Sequence, residues 1–276
     1  MKARQPNKAD RTGWSKRYLL RCKARAFTLL ELLVVIAIIA ILIAILIPGL
    51  RLARAQAGTV ACQARLREWG LGFKMYTDDN EGRWFSGVWL SAMRPFWQGT
   101  AKGRNPLAPG LNIRDRGLTL CPLTKLDKPE PFDAAIVHYD YPHPLRPNTV
   151  AVSYAFNVWL QPKGSAEGYC WGNCQTKNPW AVPVLGDGTA PIVKPLHNEP
   201  PPGVGPNGTE WAHVCINRHN GGINMLFMDW SVRKVGLKEL WTLKWHRQFD
   251  TAGPWTLAGG VRPQDWPAWM QKFKDY

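Results

Sequence analysis

The sequence predicts an α+β chain: one long N-terminal helix, membrane-spanning in its first part and kinked at Pro48, followed by a globular head built on an antiparallel β-sheet. Three observations carry this. Residues 27–47 form an apolar run broken by one charge, Glu31. The run continues into an amphipathic stretch reaching about residue 77. Beyond it the chain changes to short β-branched and aromatic segments separated by Pro and Gly.

The first element is justified by length. Residues 27–47 number 21, and at about 1.5 Å per residue a helix of that length spans roughly 30 Å, the hydrocarbon thickness of a bilayer. The preceding 26 residues hold nine basic side chains against one acid, Asp10, which places the N-terminus in the cytoplasm and the rest of the chain across the membrane. A cleaved secretory signal is the rival reading. The run is too long for it, and Ile47, Pro48, Gly49 and Leu50 lead into a basic helix rather than a small-x-small cleavage site.

The helix continues past Pro48. Leu50, Ala53, Ala57, Val60 and Ala64, then Leu66, Trp69, Phe73 and Tyr76, recur at helical spacing. Asp78, Asp79, Asn80 and Gly82 stop it. Pro48 kinks it, and Gly58, Gly70 and Gly72 weaken it. The organisation expected is a basic leader over 1–26, a helix over 27–78 with its membrane span at 27–47, and an exported head over 79–276.

In the head, strands are expected at GLTLCP (117–122), VAVSYAFNVWL (150–160) and AVPVLGDG (181–188). HVCINRH (213–219) and INMLFMDWSVRKV (223–235) read as a hairpin joined by a turn at NGG (220–222). GLKELWTLKWHRQF (236–249) has helical spacing.

Composition narrows the function classes. The net charge is +15, but the leader accounts for +8 and the other 250 residues carry only +7, scattered singly. Nucleic-acid binding is not expected. No GxSxG or comparable elbow accompanies a His/Asp pair, so the chain is not expected to be an enzyme. The 15 tryptophans fit core and loop packing better than stacking on sugar rings. Asp78, Asp79, Asn80 and Glu81 read as a helix stop rather than a Ca²⁺ loop. Cys170 and Cys174 bracket WGN and either close a short disulfide loop or remain two neighbouring thiols.

Glu31 is the residue that most needs an explanation, because a carboxylate within an apolar span is costly. A cut before Phe27 would create an α-amine about one helical turn away, and in an assembly the acid of one subunit can neutralise the amine of its neighbour.

These residues carry a resemblance. KARAFTLLELLVVIAIIAILIAILIP is similar to the signal of type IV prepilins and type II secretion pseudopilins: a basic leader, a small residue, Phe first after the cut, Glu fifth and Pro twenty-second. Here those are Ala26, Phe27, Glu31 and Pro48. Ala26 stands where the family has Gly. RHNGGINMLFMDWSV, with His219 and Asp229 separated by nine residues, resembles the H-x9-DG segment of prepilin-like proteins abundant in Planctomycetes. Trp230 stands where that pattern has Gly. Cys62, MYTDDNEG, LTLCP and SYAFNVWL resemble further landmarks of that group.

The resemblance implies a pseudopilin-like or minor-pilin-like subunit, cut before Phe27 by a prepilin peptidase, N-methylated there, and assembled through its helix. Glu31 would supply registry and Pro48 the kink. It implies a single-pass inner-membrane protein with its head in the periplasm. Its partners would be the peptidase, other pilin or pseudopilin subunits and an inner-membrane assembly machine. The alternative is a membrane-tethered periplasmic binding module, for glycan, favoured by the large Trp-rich head. His219 and Asp229, flanking the expected hairpin, are placed to meet near its base. Structural hydrogen bonding is favoured there over metal, for which His213 or Asp187 would have to join. No cofactor is expected.

Overall fold

A computed structural model describes residues 28–85, 120–124, 137–139, 150–162, 168–203 and 208–276. Ala26, Phe27 and the first three residues of GLTLCP (117–119) lie outside them. The chain divides into two units, Met1–Leu50 and Arg51–Tyr276.

The described part of the first unit is helix. It opens at Thr28 and forms the start of α1 (Leu29–Asp79), which runs unbroken through Pro48. Its apolar side chains, from Leu29 to Ile47, are exposed. A helix this long and apolar is suited to membrane anchoring. Thr28 and Glu31 form a reciprocal cap: Glu31 Oε2 accepts from the Thr28 N–H and hydroxyl, each at 2.9 Å, and the Glu31 N–H donates to Thr28 Oγ1 at 3.2 Å. These bonds satisfy donors that every helix start leaves open. Glu31 therefore has a partner within its own chain.

In the second unit α1 ends at Asp79, one residue beyond the expected 78. Asn80 Nδ2 donates to the Tyr76 carbonyl, Glu81 and Gly82 take positive φ of 57° and 77°, and the Gly82 N–H returns to Thr77 O at 2.7 Å. Asp78 is paired with Lys74 and Glu81 with Arg83, so the acidic run closes the helix.

The head strands are β1 (Val137–Tyr139), β2 (Val150–Val152), β3 (Tyr154–Asn157), β4 (Pro183–Asp187), β5 (Ile192–Val193), β6 (Gly222–Phe227) and β7 (Val232–Gly236). β1 and β2 pair by themselves, and the others form one sheet in the order β5-β3-β4-β6-β7. The expected antiparallel sheet is corrected in one place: β5 runs parallel to β3, making the sheet mixed. Both sides of β4 are taken, by β3 and β6. The chain turning back after β4 therefore goes to the open edge of β3, where its reversed direction makes it parallel.

The expected hairpin is also corrected. The chain reverses at Asn220-Gly221, whose φ of 51° and 83° are the positive values a type I′ turn requires, and the His219 N–H bonds Gly222 O. The arm before it is not a strand. Glu210–His213 is a 3₁₀ turn, and successive short bonds, Ile216 N–H to Val214 O and Arg218 N–H to Ile216 O, coil the backbone inward. The hairpin that does form joins β6 to β7, from Gly222 opposite Gly236 to Leu226 opposite Val232. Two smaller differences concern Leu120 and Cys121, which lie in a bend rather than a strand, and residues 238–242, which form a 3₁₀ helix.

The sheet separates two cores by the period of two that strands impose. Ile223, Met225 and Phe227 face a C-terminal core with Trp211, Leu240, Trp241, Trp245 and Trp266, in which the Trp211 and Trp241 rings stack at 4.1 Å. Leu226 and Met228 face the other way, against Cys62, Leu66, Trp69 and Phe73 of α1. Leu66, Trp69 and Phe73 are buried as their spacing predicts, but Ala57, Val60 and Ala64 are exposed. Above Leu66 the helix turns Gly58, Thr59, Cys62 and Gln63 toward the head instead. Gly58 and Gly70 are close-approach points: a Cβ on Gly58 would meet Leu123 at 2.4 Å, and one on Gly70 would meet Leu226 at 2.8 Å. Among the described tryptophans only Trp180 is exposed, as packing requires. It borders a shallow cavity of about 540 Å³ with Trp171, Arg233 and Glu239.

Candidate functional site

The polar side chains that meet in the head do so where α1 crosses the sheet. Asp187 is the last residue of β4, opposite Tyr154, and is fully buried. Its Oδ1 accepts from Arg218 Nη1 at 3.0 Å and its Oδ2 from the Asn224 N–H at 2.8 Å. Arg218 is fixed by Ser153 O at 2.8 Å and Gly188 O at 3.3 Å. The inward coil that displaced the expected strand is what brings Arg218 and His219 to this point.

His219 is 3 % exposed and touches three elements. Its Nδ1 lies 2.9 Å from Thr59 Oγ1. The Thr59 hydroxyl donates to Ala55 O at 2.9 Å, so it accepts from His219, and Nδ1 carries a proton. Nε2 is thereby directed at the cluster, 3.0 Å from Asp187 Oδ2, 3.4 Å from Cys121 Sγ and 3.2 Å from Asn224 Nδ2.

Two thiols complete the group. Cys62, on α1, places Sγ 3.6 and 3.7 Å from the two Asp187 oxygens and accepts from the Tyr154 hydroxyl at 3.6 Å. Cys121 is held by a bond from its N–H to Ser153 Oγ at 2.5 Å, and Arg65 donates to the neighbouring Leu120 carbonyl. Ligand atoms of Cys62, Cys121, Asp187 and His219 all lie within 4.8 Å of one another, and all four residues are buried.

The electrostatics follow from this crowding. A hydrogen bond from Cys121 draws the Cys62 thiol down to about 6 against the opposing effects of burial and the Asp187 charge. The same bond and burial push Cys121 upward, so the proton of the pair stays on Cys121. Burial disfavours the Asp187 anion, but the His219 bond, the Arg218 charge and the Asn224 N–H outweigh it and hold the carboxyl below its ordinary range. Burial alone would lower His219, yet its bonds to Asp187 and Cys62 and their negative charges raise it to about 9. A set of two thiols, one imidazole and one carboxylate is chemically a metal-ligand set.

The structure does not bring His219 and Asp229 together, because they sit at opposite ends of β6. Asp229 lies exposed in the β6–β7 turn, where its Oδ1 accepts from the Ser231 N–H at 3.0 Å and hydroxyl at 2.6 Å. The next residue, Trp230, has a φ of 67°. That left-handed conformation is the one Gly adopts freely, which gives a backbone reason for Gly after Asp in H-x9-DG. Of the other candidates, Asp187 joins His219, whereas His213 bonds Thr189.

Cys170 and Cys174 are both free thiols, so the structure forms no disulfide between them. Cys174 is tied by its N–H to Gly82 O at 2.8 Å and packs toward Gly82, while Tyr169, beside Cys170, accepts from the Arg247 N–H. The two cysteines are thus fastened to different parts of the head. Cys62 and Cys121 are the functional candidates that spacing missed, because 58 residues separate them and neither has a ligand-like neighbour in sequence.

Comparison with known proteins places the N-terminal segment. Residues 21–47 match the prokaryotic N-terminal methylation motif. Over 57 residues, 21 % of this chain, the sequence is 51 % identical to the type IV wide pilus major component PilA4 of Thermus thermophilus. The match covers 44 % of that relative, so the chain spans under half its length. No solved structure matches. The N-terminal segment thus carries a prepilin-type methylation motif, and over that segment the chain is similar to type IV prepilins.

Proposed function

We propose that the chain is a pilin- or pseudopilin-type structural subunit. It is made as a prepilin with a leader over 1–26, cut between Ala26 and Phe27, and methylated on Phe27. Residues 27–47 anchor it in the inner membrane with the head in the periplasm, and it assembles with other pilin-type subunits through the helix over 27–78. The observation that carries this reading is the methylation motif at residues 21–47, which overlaps the start of a 51-residue helix. Its other supports are the pilin relative and the exposure of the apolar surface of residues 29–47, which would be covered by lipid or by neighbouring helices.

Glu31 has two roles in this scheme. Within one chain it caps the helix start with Thr28. After the cut it would meet the Phe27 amine of a neighbouring subunit and set registry, while Pro48 shapes the helix. The peptidase, partner subunits and an assembly machine are the implied partners.

The test is mass spectrometry of the mature N-terminus together with a Glu31→Ala variant. The expected results are a methylated Phe27 start in the wild type and loss of co-purifying pilin-type subunits in the variant. An intact Met1 start, or co-purification equal to wild type, overturns the reading.

A further inference from the structure

We propose that Cys62, Cys121, His219 and Asp187 are the four ligands of a buried structural zinc site that clamps α1 and the segment 120–124 to the sheet.

The first support is geometric. A tetrahedral Zn²⁺ holds thiolate sulfur at about 2.3 Å and imidazole nitrogen or carboxylate oxygen at about 2.0–2.2 Å, which sets the edges between ligand atoms at roughly 3.3–3.8 Å. Of the six edges, three lie at or near those lengths, namely 3.4 Å from Cys121 Sγ to His219 Nε2, 3.6 and 3.7 Å from Cys62 Sγ to the Asp187 oxygens, and 3.0 Å from His219 Nε2 to Asp187 Oδ2, and the other three are within 4.8 Å. A small expansion of the His219–Asp187 contact admits the ion.

The second support lies in the groups behind the ligands. Metal-binding imidazoles donate their other N–H to an oxygen that fixes the ring, and Thr59 Oγ1 does so at His219 Nδ1. Asp187 is oriented by Arg218 and the Asn224 N–H, Cys62 Sγ by the Tyr154 hydroxyl, and Cys121 by Ser153. When Nε2 binds the metal, Asn224 Nδ2 keeps its bond to Thr59 O at 3.2 Å.

The third support is charge. Two thiolates and one carboxylate balance one divalent cation and the Arg218 guanidinium, so the pocket closes neutral, as a buried site must. Thiolate with imidazole selects a borderline-soft ion such as Zn²⁺ over Mg²⁺ or Ca²⁺, which take oxygen ligands. All four positions are protein side chains, which marks a structural site rather than one that activates water. Binding would release the protons carried by the Cys121 thiol and the imidazole.

This site is independent of the assembly role, and its test does not use filaments. The full chain, purified in detergent with thiols reduced, is stripped of metal and titrated with Co²⁺ and then Zn²⁺. One equivalent of Co²⁺ should bind, with thiolate charge-transfer and tetrahedral d–d absorption, and one equivalent of Zn²⁺ should displace it and raise the unfolding temperature. Thr59→Val, which keeps shape and leaves all four ligands, should weaken Zn²⁺ binding by about 10-fold or more. Cys121→Ser leaves only the Cys62 thiolate and should lower the charge-transfer band to about half or less while circular dichroism retains the helix. No stoichiometric binding by the folded wild type, or unchanged Co²⁺ spectra in Cys121→Ser, overturns the proposal. So does peptide mapping that finds Cys62 and Cys121 joined as a disulfide in protein isolated from the membrane.

Discussion

Arg218 Nη1 and Asp187 Oδ1 are 3.0 Å apart, and both side chains are wholly shielded from solvent. Such a pair adds little net stability relative to apolar residues, but removing one partner leaves an uncompensated buried charge. Arg218→Met should therefore destabilise the head by roughly 3–5 kcal/mol. Tryptophan fluorescence during chemical denaturation of the full chain in detergent measures this. A loss below about 1 kcal/mol would mean that Asp187 is neutral or finds another cation.

Trp230 concerns the backbone rather than charge. Its φ of 67° costs a non-Gly residue about 1–2 kcal/mol, while its ring packs on Trp84 at 6.0 Å between centroids. Replacing Trp230 by either Ala or Gly loses the ring contact, but only Gly also relieves the backbone. Trp230→Gly should thus be about 1 kcal/mol more stable than Trp230→Ala, read from paired thermal melts. Equal stability would remove the backbone explanation for Gly after Asp in H-x9-DG.

Gly70 lets α1 approach β6. Gly70→Leu should destabilise by about 1–3 kcal/mol through overpacking against Leu226. Leu226→Ala, harmful alone, should recover part of that loss when combined with it. A double-mutant cycle measures the coupling, and strict additivity would show that the contact does not limit the approach.

His246 gives the head a sensitivity to acid. Its ring lies among Tyr169, Phe249 and Trp159 at 4.6–5.3 Å, and neither ring nitrogen has a hydrogen-bond partner among the described residues. Burial, with electrostatic repulsion from the His197 and Lys244 side chains, lowers it from 6.5 to about 4. Below pH 6.5 the unfolded chain takes up a proton that the folded chain refuses until about pH 4. The contribution is constant above 6.5, and stability falls through that window. His246→Phe should flatten the decline between those limits, and parallel slopes in the two proteins would assign it to other groups.

How much was legible in advance depended on whether a feature is local. The methylation motif, the apolar span, the Asn220-Gly221 turn and the stripe Leu66, Trp69 and Phe73 depend on neighbours within a few residues, and periodicity exposes them. The first arm of the expected hairpin differs because HVCINRH carries strand-favouring Val214 and Ile216 ahead of a turn signal, which is all that local sequence shows of a strand. In the fold Arg218 finds carbonyl partners and a carboxylate inside, and those bonds take the place of a ladder. The face Gly58, Thr59, Cys62 and Gln63 was overlooked because its residues are small or polar, whereas hydrophobic spacing finds only greasy faces.

The sequence by itself determined the prepilin-type N-terminus and the long helix, because both follow from the order and polarity of adjacent residues. Only the tertiary structure decided that Cys62, Cys121, Asp187 and His219 converge and that Asp229 stands apart. Their meeting depends on helix, loop, β4 and the coil before β6 packing at one point, and contacts between residues up to 157 positions apart leave no local trace.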